Sequence, residues 1–248
     1  ALPIMLLEAI SFDRKVYAIP SNIHRLNSVF CNKTIFGKYG LSEPKTIDDL
    51  FRIGDALRGS DVVPIALGSR EPWTLSLLVF ESLLVAREGI GFYTDYFSGR
   101  SYDLDPRMLK TVEQSLSLLT LVNKNYADLS WLQALEMVIN GQAAMTVIGD
   151  WASIVYAERG LRSGSEFVEV PFPGTENSMV FTSDTFALPI RAKNRAGAGR
   201  VLSTMASLEG QRAMHEGKGS LPARTDVPLP NADPVLRAKS EVVRSGAL

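Results

Sequence analysis

Apolar and polar residues recur along this chain in two rhythms, one of period two and one of helical period. Lys15 to Pro20 (KVYAIP) is rich in β-branched and aromatic residues and predicts a strand stopped by Pro20. Asn27 to Asn32 predicts a second strand. Thr46 with Asp49 three residues on makes a capping-box pattern, and Ile47, Leu50, Ile53 and Leu57 follow at helical spacing. Val62 to Leu67, closed by Gly68, has the form of a buried strand. Pro72 suits the first turn of a helix to about Arg87, beyond which Gly89, Gly91 and Gly99 break the pattern. Pro106 opens a helix with apolar positions at Leu109, Val112, Leu116, Leu119 and Val122. Ser130 caps another, stopped at Asn140-Gly141. Ala143 to Ile148 predicts a strand, and Gly149-Asp150 a turn into a helix beginning near Trp151. Phe167 to Val170 and Thr185 to Ile190 predict strands, and 195–207 and 208–216 predict helices. Pro222, Pro228, Pro230 and Pro234 predict a loop-rich tail.

Short strands alternating with helices imply an α/β layer fold. No linker divides the 248 residues cleanly, as suits two lobes between which the chain crosses several times. An apolar share of 46% is enough for a buried core. The net charge of −1 supplies no strong field to gather nucleic acid or anionic membrane, so no nucleic-acid partner is expected. No apolar run approaches the ~20 residues of a membrane span; the longest candidate, Trp73 to Ala86, is interrupted by Ser76, Glu81 and Ser82. Cys31 is the one cysteine, so an intramolecular disulfide and a thiolate cluster are excluded, and its neighbours Val29 and Phe30 mark it as a small apolar residue. Ala1 to Ile10 is apolar without a basic leader, and the chain starts without Met, as a trimmed N-terminus does.

Enzyme motifs are weak. Gly217-Lys218-Gly219-Ser220 lacks the Walker spacing, Gly89-Ile90-Gly91 lacks a third glycine, no G-x-S-x-G elbow exists, and His215-Glu216 has no second His. Asp48-Asp49, Asp103 and Asp105 read as helix-start and turn residues. No cofactor or metal is expected. A glycosidase-type carboxylate pair in a cleft stays open as a remote alternative.

Three stretches together resemble the extracellular sugar-binding proteins of ABC importers, especially the glucose-binding type. Lys15 to Leu50 is similar to the family's Y-x-x-P, N-x-H-x-x-N, Y-N-K and GL-x-x-P-x-T-W-D-E-L run, with Cys31 in place of the usual Tyr and Ile47 in place of the usual Trp. Asn140 to Ala152 (NGQAAMTVIGDWA) is similar to G-x-A-A-M-x-x-x-G-D-W. Ser207 to Val227 is similar to S-x-E-G-Q followed by KGS-[IL]-P-x-R-x-D. The resemblance implies a periplasmic-binding-protein-like fold of two α/β lobes closing on a sugar, truncated at both ends, with the first lobe incomplete and the end of the second missing. Residues 1–33 and 180–219 would be the remnant of the first lobe, and 38–175 and 220–248 the second. Apolar surface of Val16, Ile19 and Val29 would then be uncovered or paired with another chain, giving a homo-oligomer through the first-lobe surface.

The resemblance also implies a site. A sugar presents hydroxyls to charged or amide groups and C–H faces to aromatic plates. Trp151 would stack on the ring, or be a core Trp at a helix start. Asp184 would accept sugar hydroxyls, or be a turn residue after Thr182-Ser183. Lys218 would donate to a hydroxyl, or be a solvated loop Lys. His24, Asn22 and Trp73 are secondary ligand-binding candidates, and Arg224 fits a brace paired with a carboxylate. The implied function is a non-enzymatic carbohydrate receptor, monosaccharide-type, partnered in full length by an ABC permease and located in the periplasm or outside the cell. A scaffold or interaction role derived from that fold is the alternative.

Overall fold

The computed structural model of the chain describes residues 1–99, 105–230, 232 and 234–245. Contacts divide it into two units, one built from both chain ends (Ala1–Arg25 and Phe181–Leu248) and one from the continuous middle (Leu26–Val180). The tail, expected with the middle of the chain, groups with the ends instead. Leu221 and Ile23 exchange backbone hydrogen bonds of 2.8 and 3.0 Å, and Thr225 N–H donates to Ala1 O at 2.8 Å. Asp103 lies outside the described residues.

The first unit begins with helix α1 (Ile4–Ala9) and the hairpin β1 (Ser11–Phe12) and β2 (Lys15–Val16). Its two turn residues, Asp13 (φ 47°) and Arg14 (φ 59°), are left-handed, as a tight hairpin turn requires. β3 (Ile19–Pro20) and β4 (His24–Arg25) follow. The single strand expected over Lys15 to Pro20 is therefore split. Val16 pairs back to Ser11, whereas Ile19 and Pro20 pair with residues far along the chain. Val16 is 54% exposed and Ile19 half-buried.

The middle unit is laid on a four-stranded sheet of order β6-β7-β5-β8. It comprises β5 (Ser28–Asn32), α2 (Lys33–Tyr39), α3 (Ile47–Ala56), β6 (Val63–Ala66), a π-helical stretch Thr74–Phe80, α4 (Glu81–Phe97), α5 (Pro106–Leu118), α6 (Trp131–Ile139), β7 (Ala143–Val147), α7 (Ala152–Glu158) and β8 (Phe167–Pro171). β6 and β7 are parallel, and β5 is antiparallel to both β7 and β8. Val29, expected to be uncovered, is fully buried because β5 lies between two neighbours, facing Val147 on one side and Val170 on the other. Cys31 is buried in the same strand, and burial pushes its thiol pKa far up, so it packs as an apolar residue. Over Phe30 lie Tyr156 of α7 and Phe167 of β8, their two rings stacked at 3.9 Å.

The predicted caps form. Thr46 and Asp49 close a capping box on α3, Ser130 and Gln133 close one on α6, and Asp105 caps α5. The helix expected from Pro72 to Arg87 starts as a π-helix and continues as α4, with a corner at Gly89 (φ 81°, ψ 163°), a conformation reserved for glycine. The apolar positions of α5 do not all face inward. Leu109, Val112 and Leu116 (60% exposed) point to solvent, while Thr111, Ser115 and Leu118 are buried. Burial of those hydroxyls is cheap because each donates to the carbonyl four residues back, at 2.9 Å in both cases.

The chain then returns to the first unit with β9 (Phe181–Thr182), β10 (Thr185–Phe186), α8 (Arg195–Ala206), α9 (Leu208–Lys218) and α10 (Pro234–Ser245). The strand expected to reach Ile190 ends at Phe186. The tail is not only loop: Pro234, read from sequence as a breaker, opens α10. Gly210 has no side chain because a Cβ would meet Thr204 O at 2.0 Å, where α9 turns back on α8.

Candidate ligand-binding site

The candidate residues fall into two groups, one in each unit. In the first unit β4 pairs with β9 (His24 with Thr182), and β3 pairs with β10 (Ile19 with Phe186). The stretch from Ile19 to His24 is one residue longer than the stretch it pairs with, so the ladder bulges at Ser21 and Asn22 opposite Asp184. Bulges re-aim side chains, and here the buried Asn22 turns onto Asp184. Its Nδ2 donates to Asp184 Oδ2 at 2.8 Å, and Asp184 N–H donates to its Oδ1 at 2.9 Å. Ser183 Oγ donates to Asn22 O at 2.6 Å, and Ser21 N–H to Asp184 O at 2.8 Å.

Lys218 ends α9, where Gly219 adopts the left-handed conformation (φ 64°). A cation at a helix C-terminus is favoured by the partial negative charge of the last carbonyls. Lys218 Nζ reaches Asp184 Oδ2 at 2.6 Å, and both side chains are about half exposed, at 51% and 53%. Hydrogen bonds from Lys218, then from Asn22, hold the Asp184 carboxyl below the ordinary carboxylate range, with the nearby His24 adding to the effect. Asp184 is thus an ionised acceptor with a cation beside it, both open to solvent. His24 itself is buried in β4.

α9 is fastened by Gln211, which is fully buried. Its Nε2 donates to Pro20 O at 2.9 Å and Met205 O at 3.0 Å, and its Oε1 accepts from Arg224 N–H at 3.2 Å. Arg224 is a brace, as expected: its guanidinium forms two hydrogen bonds with Asp226 (2.9 and 2.7 Å) and a third to Ala206 O.

In the middle unit, Trp73 and Trp151 meet with ring centroids 5.8 Å apart and planes at 62°. Sequence reasoning missed the third member, Trp131, whose ring stands at 6.4 Å and 87° to Trp151. All three are half-buried. Each sits at a helix start: Trp73 precedes the π-helical stretch, Trp131 opens α6 and Trp151 precedes α7. That shared position, an aromatic next to a cap, was the available signal. Two loops are stapled together to hold Trp73 and Trp131. Ser69 N–H donates to Tyr126 O (2.7 Å), Arg70 N–H to Leu129 O (3.0 Å), and the backbone N–H of Trp131 to Glu71 Oε2 (3.2 Å). Gly68 makes the approach possible, since a Cβ there would meet Ser130 O at 2.1 Å.

The arrangement offers flat apolar rings in one unit and an acid–amide–ammonium cluster in the other. Among the described residues no group of three or more His, Cys, Asp or Glu is placed to hold a metal ion, and no helix is long and apolar enough to cross a membrane.

Known proteins resemble nearly the whole chain. An "Uncharacterized ABC transporter extracellular-binding protein" of Pyrococcus horikoshii is 35% identical over 238 residues, covering 95% of this chain and 53% of that protein. A "Probable sugar-binding periplasmic protein" of Mesorhizobium japonicum is 34% identical over 235 residues, covering 92% and 55%. The chain thus spans about half the length of these relatives. Among solved structures, a chitin oligosaccharide binding protein superposes with a TM-score of 0.79 at 22% identity, over 96% of this chain and 62% of that one. A bacterial solute receptor described as preferring β-D-galactopyranose superposes with 0.82 at 20% identity, over 99% and 63%. At such identities the likeness is one of fold, the α/β fold of solute receptors. The sequence pattern of the bacterial extracellular solute-binding proteins matches residues 3–212, and the chain belongs to that family.

Proposed function

We propose that this chain carries carbohydrate-binding groups of an extracellular or periplasmic receptor that delivers a monosaccharide-type sugar to an ABC permease, without catalysing any reaction. The observation that carries this reading is that each unit holds one of two chemistries. Three indoles supply apolar plates, and Asp184, Asn22 and Lys218 supply acceptor, amide and ammonium groups, which are the two kinds of contact a sugar requires. The names of the relatives support the carbohydrate class and the transporter partner.

Isothermal titration with D-glucose, D-galactose and D-xylose tests the reading. Millimolar or weaker binding is expected, because few contacts must offset several kcal/mol lost on immobilising the ligand. Binding should fall on Trp151→Ala and on Asp184→Asn. Heats indistinguishable from dilution at saturating sugar, or binding that neither variant weakens, would count against it.

A second reading, a docking role, is favoured by one observation. The first unit has an apolar groove of about 450 Å³ whose lining includes Val16, Ile19, Phe186, Leu188 and Leu202. Light scattering over a concentration series distinguishes them: reversible self-association lost on Val16→Lys would favour docking.

A further inference from the structure

Trp151 is seated unusually firmly for a half-exposed ring. Its six-membered edge rests on the bare Cα of Gly149: a Cβ at that position would lie 2.0 Å from Cζ3, 2.3 Å from Cη2 and 2.5 Å from Cε3 of the indole. Gly149 does not have a positive φ, so the backbone conformation does not demand glycine. The space does. The indole is further bounded by two rings at steep angles, Trp73 (62°) and Trp131 (87°). The backbone that carries Trp131 is fixed in turn by the capping box of Ser130 with Gln133 and by the bond from the Trp131 backbone N–H to Glu71. Offset and edge-to-face ring pairs at such distances are favourable and directional, so they resist rotation of the central ring.

We infer that Gly149 and Trp131 are positioning residues for Trp151: the missing side chain at 149 and the upright ring of Trp131 fix the indole plane before any ligand arrives. The inference rests on the reading of Trp151 as the stacking plate. A plate held in place in advance spares the ligand the ordering of a mobile side chain, and affinity is gained from that preorganisation. Gly149→Ala forces the ring off its seat without replacing any polar side chain. Trp131→Ala removes one wall, and Trp131→Phe restores a ring there.

The test has a ligand-free arm and a titration arm. In the ligand-free arm, circular dichroism reads the coupling between neighbouring indoles, and melting temperature is compared for Gly149→Ala, Trp151→Ala and the double variant. Gly149→Ala is expected to change the indole band and lower the melting temperature, and the second loss should vanish in the Trp151→Ala background, where the clashing ring is gone. If Gly149→Ala alone fails to fold, recovery of folding in the double variant is the expected result. An unchanged indole band, or a loss that persists without the Trp151 ring, overturns the inference. In the titration arm with D-glucose, D-galactose and D-xylose, Gly149→Ala and Trp131→Ala are expected to weaken binding about tenfold or more, with Trp131→Phe recovering most of it. Wild-type affinity retained by Gly149→Ala also overturns the inference. A wild-type chain that binds none of the sugars refutes the carbohydrate reading, and the ligand-free arm still decides the positioning role.

Discussion

Gln211→Met should loosen the first unit without touching the second. The substitution keeps the length and approximate volume of the side chain while deleting three hydrogen bonds, to Pro20 O, Met205 O and Arg224 N–H. Each bond contributes about 1 kcal/mol net, and the side chain is only 1% exposed, so water does not readily replace them. The expected cost is about 3 kcal/mol, which is roughly a hundredfold in an opening equilibrium at 1.4 kcal/mol per tenfold. Tryptophan fluorescence is the wrong assay, because Trp73, Trp131 and Trp151 all lie in Leu26–Val180. Amide hydrogen exchange resolves the two units. Protection in α9 should fall about a hundredfold, while the amides of β5 and β7 keep theirs. A change in α9 below about threefold would refute the idea that this glutamine fastens the helix, and an equal loss in β5 would refute the independence of the two contact networks.

Three further outcomes are expected. Glu81 is buried and its carboxyl pKa is raised by that burial, although Tyr93 Oη donates to it at 2.6 Å; the protonated form is therefore favoured by folding, and this contribution is lost as pH rises through the raised value. Glu81→Gln should then be more stable at neutral pH by on the order of 1 kcal/mol and show a flatter pH dependence above the ordinary glutamate range, read by urea titration. Asp184 has the opposite sign: its lowered pKa keeps it ionised as pH falls, so in Lys218→Met the Asp184 carboxyl should titrate at a higher pH by carbon-detected NMR. Gly210→Ala should destabilise the first unit by about 2–3 kcal/mol in thermal melts, because the new methyl meets the Thr204 carbonyl, which cannot rotate away.

Much of the fold was legible where local chemistry decides. Caps at Thr46 and Ser130, and the stop at Asn140-Gly141, fix helix ends through bonds made within a few residues. What was not legible depended on partners distant in sequence. Whether Val16 and Ile19 continue one strand is settled by Ser11 and by Phe186, and no local rhythm carries that choice. The outward face of α5 misled for a related reason: Thr111 and Ser115 look like surface residues until their hydroxyls are seen satisfied by their own helix. At the candidate site, the contact of Asn22 with Asp184 follows from a bulge whose register is invisible in the sequence, and that of Lys218 from where α9 ends. The motif did mark Trp151. It gave no hint that Trp131 stands beside it, since Trp131 is carried on a loop held to that of Trp73 by staples at Ser69 and Arg70, between residues distant in sequence.

The division of the chain also sets an order of events during synthesis. Leu26–Val180 is continuous, so its sheet can close as soon as Phe167–Pro171 has left the ribosome. Ile19–Pro20 and His24–Arg25 are made before that stretch yet find their partners, Thr185–Phe186 and Phe181–Thr182, only after the whole of it has been made. At ~5–20 residues per second, these strands wait many seconds for those partners. Synthesis therefore passes through a stage in which Leu26–Val180 is finished while β3 and β4 still lack these partners, and this is the stage at which a holdase that shields apolar β-segments should raise the yield.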